Sequence, residues 1–325
     1  MKENKVRLLG ERDFLPYMDT EGKEWRRKTI KKVRFQSFDK TVLQSYYAVP
    51  EDAKAAVVLV HGFTEFFGKY YELCQVLYEA GFAVFFLEQR GHGLSEGKLQ
   101  NPEIVHINSY RTYVKDLNCF VETVVKIRTE LPLLLLAHSM GGAVSALYLE
   151  KYKDVFQGAA LCSPMLHIKN DRLCFFDIVR LQLRAWFFRE GKNLGPGQHG
   201  YNPYPDFHLS NQGSRPRFQY VAELRRRGRC YQTAGGSLQW GIASVVADRV
   251  LMRFAGRIET PIVLFEAGED ALVSMDGYKA FARRLKKTPS EYFYEGARHE
   301  LYNARRFERK CFYRDLLRVL TSFIS

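Results

Sequence analysis

The order of apolar and polar positions divides the chain before any chemistry is considered. Residues 1–30 mix charges with scattered apolar side chains, which predicts an arm lying on the surface. Residues 32–38 and 41–49 alternate around Phe38-Asp39-Lys40, the period of two that a hairpin requires. Residues 55–60, 82–87, 133–137 and 157–162 are short, unbroken apolar runs, the profile of strands buried on both faces. Between them, 70–80, 109–130 and 141–152 carry apolar residues at helical spacing. Gly81 stops the first of these helices, and Ser109 suits the N-cap of the second. This alternation predicts a mostly parallel sheet covered by helices on both faces. From 164 to 249 it lapses into helical pieces and an irregular Gly/Pro loop. It resumes with a strand at 262–265, a helix at 277–287, a strand at 292–294 and a last helix within 302–323. The expected organisation is an α/β core, 1–163 and 250–325, interrupted by a helical cap or lid over 164–249.

Composition adjusts this picture little. At 325 residues the chain exceeds the usual single domain, and one interrupted core accounts for the excess. With 46% hydrophobic and 26% charged residues it reads as packed and globular. No stretch reaches the roughly 18 to 20 apolar residues of a membrane-spanning helix, and the first ten residues have no signal-type apolar run, so a cytoplasmic protein is expected. Cys74, Cys119, Cys162, Cys174, Cys230 and Cys311 are scattered, without C-x-x-C or H-E-x-x-H spacing, which predicts reduced thiols and no metal site. Gly195–Gly200 fits G-x-G-x-x-G, but it follows a Phe/Arg-rich helix instead of a strand, and Asn202-Pro-Tyr-Pro205 keeps a helix from starting behind it. It is read as a mobile lid loop, and no cofactor is expected.

The chemistry concentrates at Ala137-His-Ser-Met-Gly-Gly142, where a buried strand runs into a helix. A serine at such a turn, flanked two positions away by small residues, is held strained with its hydroxyl clear of the sheet. Ala137 replaces the first Gly of G-x-S-x-G and still meets the steric need. A nucleophilic serine needs a base, and the base an orienting acid. Asp270 follows the strand at 262–265 and His299 the strand at 292–294, so both reach the sheet edge where Ser139 stands. Glu266 and Glu269 compete with Asp270 for the acid role. His92, His106, His167, His199 and His208 are assigned to the surface, turns or the insertion, and His138 to packing. The amide of Met140 and that of Phe63, after the His61-Gly62 turn, are the candidate oxyanion donors, with His61 bracing the turn.

Val60-His-Gly-Phe-Thr-Glu65, Glu88-Gln-Arg-Gly-His-Gly-Leu-Ser95, Ala137-His-Ser-Met-Gly-Gly142, Gly268-Glu-Asp270 and His299 occur in this order over about 240 residues. Together they resemble the α/β-hydrolases of the monoacylglycerol lipase and lysophospholipase L2 group, of the serine aminopeptidase S33-like type. The resemblance implies a triad of Ser139, Asp270 and His299, oxyanion amides at Phe63 and Met140, and a lipid ester as substrate. Thr64, where Gly or Ala is common, and Glu88, where Asp is usual, depart from the pattern outside the triad. A small-ester carboxylesterase or peptidase of the same fold is the enzymatic alternative. A basic membrane- or nucleic-acid-binding module with a vestigial site is the alternative from another class.

Charge decides where such a module would dock. The net charge is +13, and residues 164–249 hold 13 Lys and Arg against 6 Asp and Glu, more than half of that excess. Within 173–188, apolar residues are punctuated by Arg180 and Arg184, which suits a lipid interface or a cap closing over a pocket. The expected partner is therefore an anionic membrane surface on the cytoplasmic side or a phosphorylated head group, and no nucleic acid is expected. Arg225-Arg-Arg-Gly-Arg229 reads as a solvated helix end, with phosphate binding by insertion arginines as the sharper alternative.

Overall fold

The computed structural model describes residues 6–166 and 175–325, so His167, Leu173 and Cys174 lie outside the described residues. The apolar runs become strands, β1 (Lys31–Gln36), β2 (Val42–Ala48), β3 (Ala55–Val60), β4 (Phe82–Leu87), then, after a two-residue strand β5 (Ile104–Val105), β6 (Leu133–His138) and β7 (Gly158–Cys162). After β8 (Gly235–Gly236) the sheet closes with β9 (Ile262–Ala267) and β10 (Ser290–Tyr294). The main sheet runs β1-β2-β4-β3-β6-β7-β9-β10. The β1–β2 and β2–β4 pairs are antiparallel and the others parallel.

Every residue of β3, β4, β6, β7 and β9 is buried, because helices cover both faces. Side chains alternate across the sheet. Val58 and Val60 join one core with α4 (Tyr110–Phe120), α5 (Met140–Lys151) and α8 (Leu238–Phe254). Val57 and Leu59 join the opposite core with α3 (Tyr71–Glu79) and α10 (Arg306–Ser322). Ser109 caps α4 by accepting from the Arg111 amide at 3.3 Å. The helix expected over 109–130 ends earlier, passing at Val121–Val125 into one π-helical turn. Likewise, the helix expected over 277–287 is α9 (Met275–Ala282).

The N-terminal arm differs from the expectation. It forms α1 (Glu11–Asp19) and α2 (Glu21–Thr29), and Leu9, Phe14, Tyr17 and Met18 are buried. Arg217, in α7 (Arg215–Arg227), donates to Glu72 at 2.6 Å and to Glu11 at 3.2 Å, while Arg309 donates to Glu11 at 2.6 Å. The arm is thus fastened both to the segment between β7 and β9 and to the core.

That segment holds α6 (Phe175–Phe187), α7, α8 and β8, which pairs with β5 from the loop after β4. The loop at 195–200 is anchored: Gly195 donates to the Gly236 carbonyl at 2.9 Å, and Gln198 accepts from the Gly236 amide at 3.0 Å. These bonds replace the mobile loop expected from the sequence. Among the described residues, no helix is long and apolar enough to cross a membrane. Cys74, Cys119, Cys162, Cys230 and Cys311 are free thiols.

Candidate active site

Ser139 stands between β6 and α5 with φ 51° and ψ −120°, a backbone state that non-glycine residues rarely adopt. The close approach of β3 to α5 enforces this turn. A Cβ on Gly141 would strike the carbonyl oxygens of Val60 and His61, and one on Gly142 would strike Pro164. The Ser139 amide is tied to the Cys162 carbonyl at 3.1 Å and its own carbonyl accepts from Met165 at 2.9 Å. Main-chain bonds on both sides therefore fix the serine.

Its hydroxyl lies 2.8 Å from His299 Nε2, and His299 Nδ1 lies 2.7 Å from Asp270 Oδ2. The other Asp270 oxygen accepts from the amides of Leu272 and Val273 at 2.8 and 3.0 Å. Burial works against ionisation of Asp270, but His299 and these two amides outweigh it and hold the carboxyl below its usual value. An ionised carboxylate only accepts, so Nδ1 must carry the proton and Nε2 is left to accept from the serine. Glu269 is exposed and turns to Arg305 at 3.1 Å. Glu266 lies in β9, its carboxyl raised to about 7 by burial and the Glu291 charge. Neither contacts His299 among the described residues.

The turn after β3 abuts the serine, since a Cβ on Gly62 would lie 3.1 Å from the Ser139 Cβ. His61 Nδ1 meets the Gly62 carbonyl at 2.7 Å and its Nε2 accepts from the Gln89 amide at 2.9 Å. Burial lowers this imidazole to about 4, so it stays neutral and braces the turn. Phe63 follows, its ring 4.2 Å from that of Trp240 in α8, and Met140 opens α5, fully buried. His92 sits in a turn, one of its expected places, and is buried there against His61, its imidazole lowered to about 3 by burial. His138 is packed as expected, with Nδ1 on the Cys162 carbonyl at 3.1 Å and its ring 4.8 Å from that of His299.

The sequence of the protein matches the profile of the family described as serine aminopeptidase, S33, over residues 51–306. The chain belongs to this S33 hydrolase family. Lysophospholipase L2 of Escherichia coli K12 is 31% identical over 222 residues, covering 67% of this chain and 64% of that protein. The chain thus spans a little under two thirds of that relative's length. Monoacylglycerol lipase of Mycolicibacterium smegmatis is 33% identical over 255 residues, covering 78% of this chain and 83% of that protein. Among solved structures, a thermostable carboxyl esterase of Bacillus coagulans in complex with glycerol superposes with a TM-score of 0.74 at 17% identity, over 91% of this chain and 99% of that one. The fold is that of an α/β-hydrolase.

In this S33 hydrolase, sequence reading overlooked a buried ionic cluster behind the serine. Lys69 donates to Glu65 and Glu300, each at 2.7 Å, and Glu65 also accepts from Tyr70, from Tyr302 at 2.7 Å and from the Gly62 amide at 2.6 Å. Burial alone would raise the Glu65 carboxyl, yet Lys69 and these donors hold it far below the usual range. One carboxylate therefore links the turn bearing Phe63 to the loop bearing His299. The spacing of Glu65 and Lys69, four apart, was the available signal, but such pairs usually sit on solvated helix faces.

Proposed function

We propose that this chain is a serine carboxylic ester hydrolase acting on lipids with a single acyl chain, lysophospholipid or monoacylglycerol. The observation that carries the reading is the unbroken chain Ser139 Oγ, His299, Asp270 at 2.8 and 2.7 Å, set on a strained strand-to-helix turn. His299 takes the serine proton as Oγ attacks the ester carbonyl, and Asp270 stabilises the imidazolium and fixes its tautomer. The amides of Phe63 and Met140 receive the developing oxyanion. His299 then gives its proton to the departing alcohol, leaving an acyl-serine. Water deprotonated by His299 attacks that ester and releases the fatty acid, restoring Ser139. The names of the bacterial relatives support a lipid ester, and the segment 164–249 would serve as its cap.

A fluorophosphonate probe should label the folded protein, and Ser139→Ala should lose both labelling and turnover. Labelling retained by that variant overturns the assignment. The family's description as a serine aminopeptidase favours a second reading, cleavage of aminoacyl amides. A chain-length series of p-nitrophenyl esters assayed beside aminoacyl amides separates the two.

We further propose peripheral contact with an anionic membrane at the cytoplasmic face. Val179, Leu183, Phe187 and Phe188 are exposed on and just after α6, with Arg180 and Arg189 exposed beside them.

A further inference from the structure

A cavity of about 340 Å³ adjoins the site, within the range of ligand pockets (roughly 300–1,000 Å³). Two of its lining residues directly follow site residues in the chain: Thr64 comes after Phe63, and Glu300 after His299. It therefore lies beside the turn that carries Phe63 and the loop that carries His299.

The charges in this lining are not equivalent. Lys69 sits between Glu65 and Glu300 and is neutralised by them. Arg225 is half-buried, while its neighbours Arg226, Arg227 and Arg229 are exposed. Its guanidinium donates to the main-chain oxygens of Tyr231 at 3.1 Å and Thr233 at 2.6 Å, and lies 5.1 Å from the Tyr201 ring centroid. Among the described residues it forms no ion pair, and the Glu300 carboxylate, already bonded to Lys69, acts on it only at longer range. The Tyr201 hydroxyl and Gln212 Oε1, in the same lining, are buried without hydrogen-bond partners among the described residues. Asp206 supplies the opposite charge, its carboxylate accepting from the His208 amide at 2.8 Å.

A cation without an ion pair, an exposed carboxylate and two polar atoms without partners in one cavity match a ligand that carries both charges. We propose that this cavity is a subsite for the zwitterionic head group of a lysophospholipid, with Arg225 taking the phosphodiester and Asp206 the ammonium. The proposal rests on the ester-hydrolase reading above and sharpens its substrate. A monoacylglycerol leaves Arg225 unanswered, and a head group without an ammonium leaves Asp206 so.

The test compares kcat/KM for lysophosphatidylethanolamine, lysophosphatidylglycerol and monoacylglycerol with the same acyl chain. Arg225→Gln should lower the ratio of lysophosphatidylethanolamine to monoacylglycerol about tenfold or more, the value of a charge-assisted contact, and Arg225→Lys should keep much of it. Asp206→Asn should lower lysophosphatidylethanolamine relative to lysophosphatidylglycerol. Glycerophosphoethanolamine should inhibit p-nitrophenyl butyrate hydrolysis more strongly than glycerol or inorganic phosphate. Equal losses on all three substrates in Arg225→Gln would mean that the arginine only staples the loop after α7, and would overturn the proposal. So would a wild-type preference for monoacylglycerol. Both results leave the ester-hydrolase reading standing, since that reading is tested by the labelling of Ser139 and by the preference for esters over aminoacyl amides.

Discussion

At Ser139, position and reactivity come from different causes. The main chain holds the residue at φ 51°, while the two hydrogen bonds from Oγ through His299 to Asp270 supply a path for its proton. The tautomer depends on Asp270 being ionised. Asp270→Asn can place an amide N–H opposite Nδ1 and so drive the proton to Nε2, where it blocks acceptance from the serine. Turnover should fall about 10⁴-fold with little change in folding, measured as kcat beside the circular dichroism spectrum. A loss under tenfold would remove the orienting role. Sequence order was enough to nominate Ser139, Asp270 and His299, since each follows a strand that ends at one sheet edge. It favoured Asp270 over Glu269 but could not show which carboxylate meets His299, because consecutive residues of a loop point in different directions that only the folded loop settles.

At the level of elements, uninterrupted apolar runs were readable because a strand buried on both faces leaves no polar position. Short or non-periodic elements were not. The strand Gly235–Gly236 has two residues and no side chains, and it exists through its pairing with Ile104–Val105, some 130 residues away. The first thirty residues read as a surface arm because charges are mixed all along them. Their helices are held by Arg217 and Arg309, whose partner Glu11 lies about 200 and 300 residues away in the chain. Helix α6 gives the prediction at this scale. If its outward apolar residues enter an anionic bilayer, the paired change Leu183→Asp and Phe187→Asp should greatly reduce co-sedimentation with phosphatidylglycerol vesicles. Hydrolysis of a short water-soluble ester would continue. Unchanged vesicle binding would sink the docking role.

For the whole molecule, buried ionisable groups set the acid response. Burial lowers His61 to about 4 and His92 and His138 to about 3, from 6.5, so the unfolded chain takes up these protons first as pH falls. Their contribution to stability is present above about 6.5 and lost on acidification. Glu150 and Glu266 act in the opposite sense: burial raises them to about 8 and about 7, so the folded state keeps protons that the unfolded state gives up above 4.5. Between pH 7 and 4.5 the two sets largely offset. Below about 4.5 both glutamates are protonated folded or unfolded and drop out, while the histidines remain and Glu65, held low, joins them with the same sign. Unfolding free energy from urea titrations should thus change little from pH 7 to 4.5 and then fall steeply, by about 1.4 kcal/mol per pH unit for each proton involved. A steep loss already at pH 6 would contradict this balance.

The net charge of +13 is a property of composition, and its concentration in 164–249 could be counted directly. What that charge does could not be counted. In the run Arg225-Arg-Arg-Gly-Arg229, three arginines face solvent and Arg225 turns inward to the carbonyls of Tyr231 and Thr233. Sequence alone determined the alternation of strands and helices and the order of the proposed nucleophile, acid and base, because hydrophobic period and strand ends are local properties. Tertiary structure alone decided that the Asp270 carboxylate meets His299, that an ionic cluster forms beneath the turn bearing Phe63, and that one arginine of the run turns inward. Each of these depends on which distant groups share a low-dielectric space, and no local pattern records that.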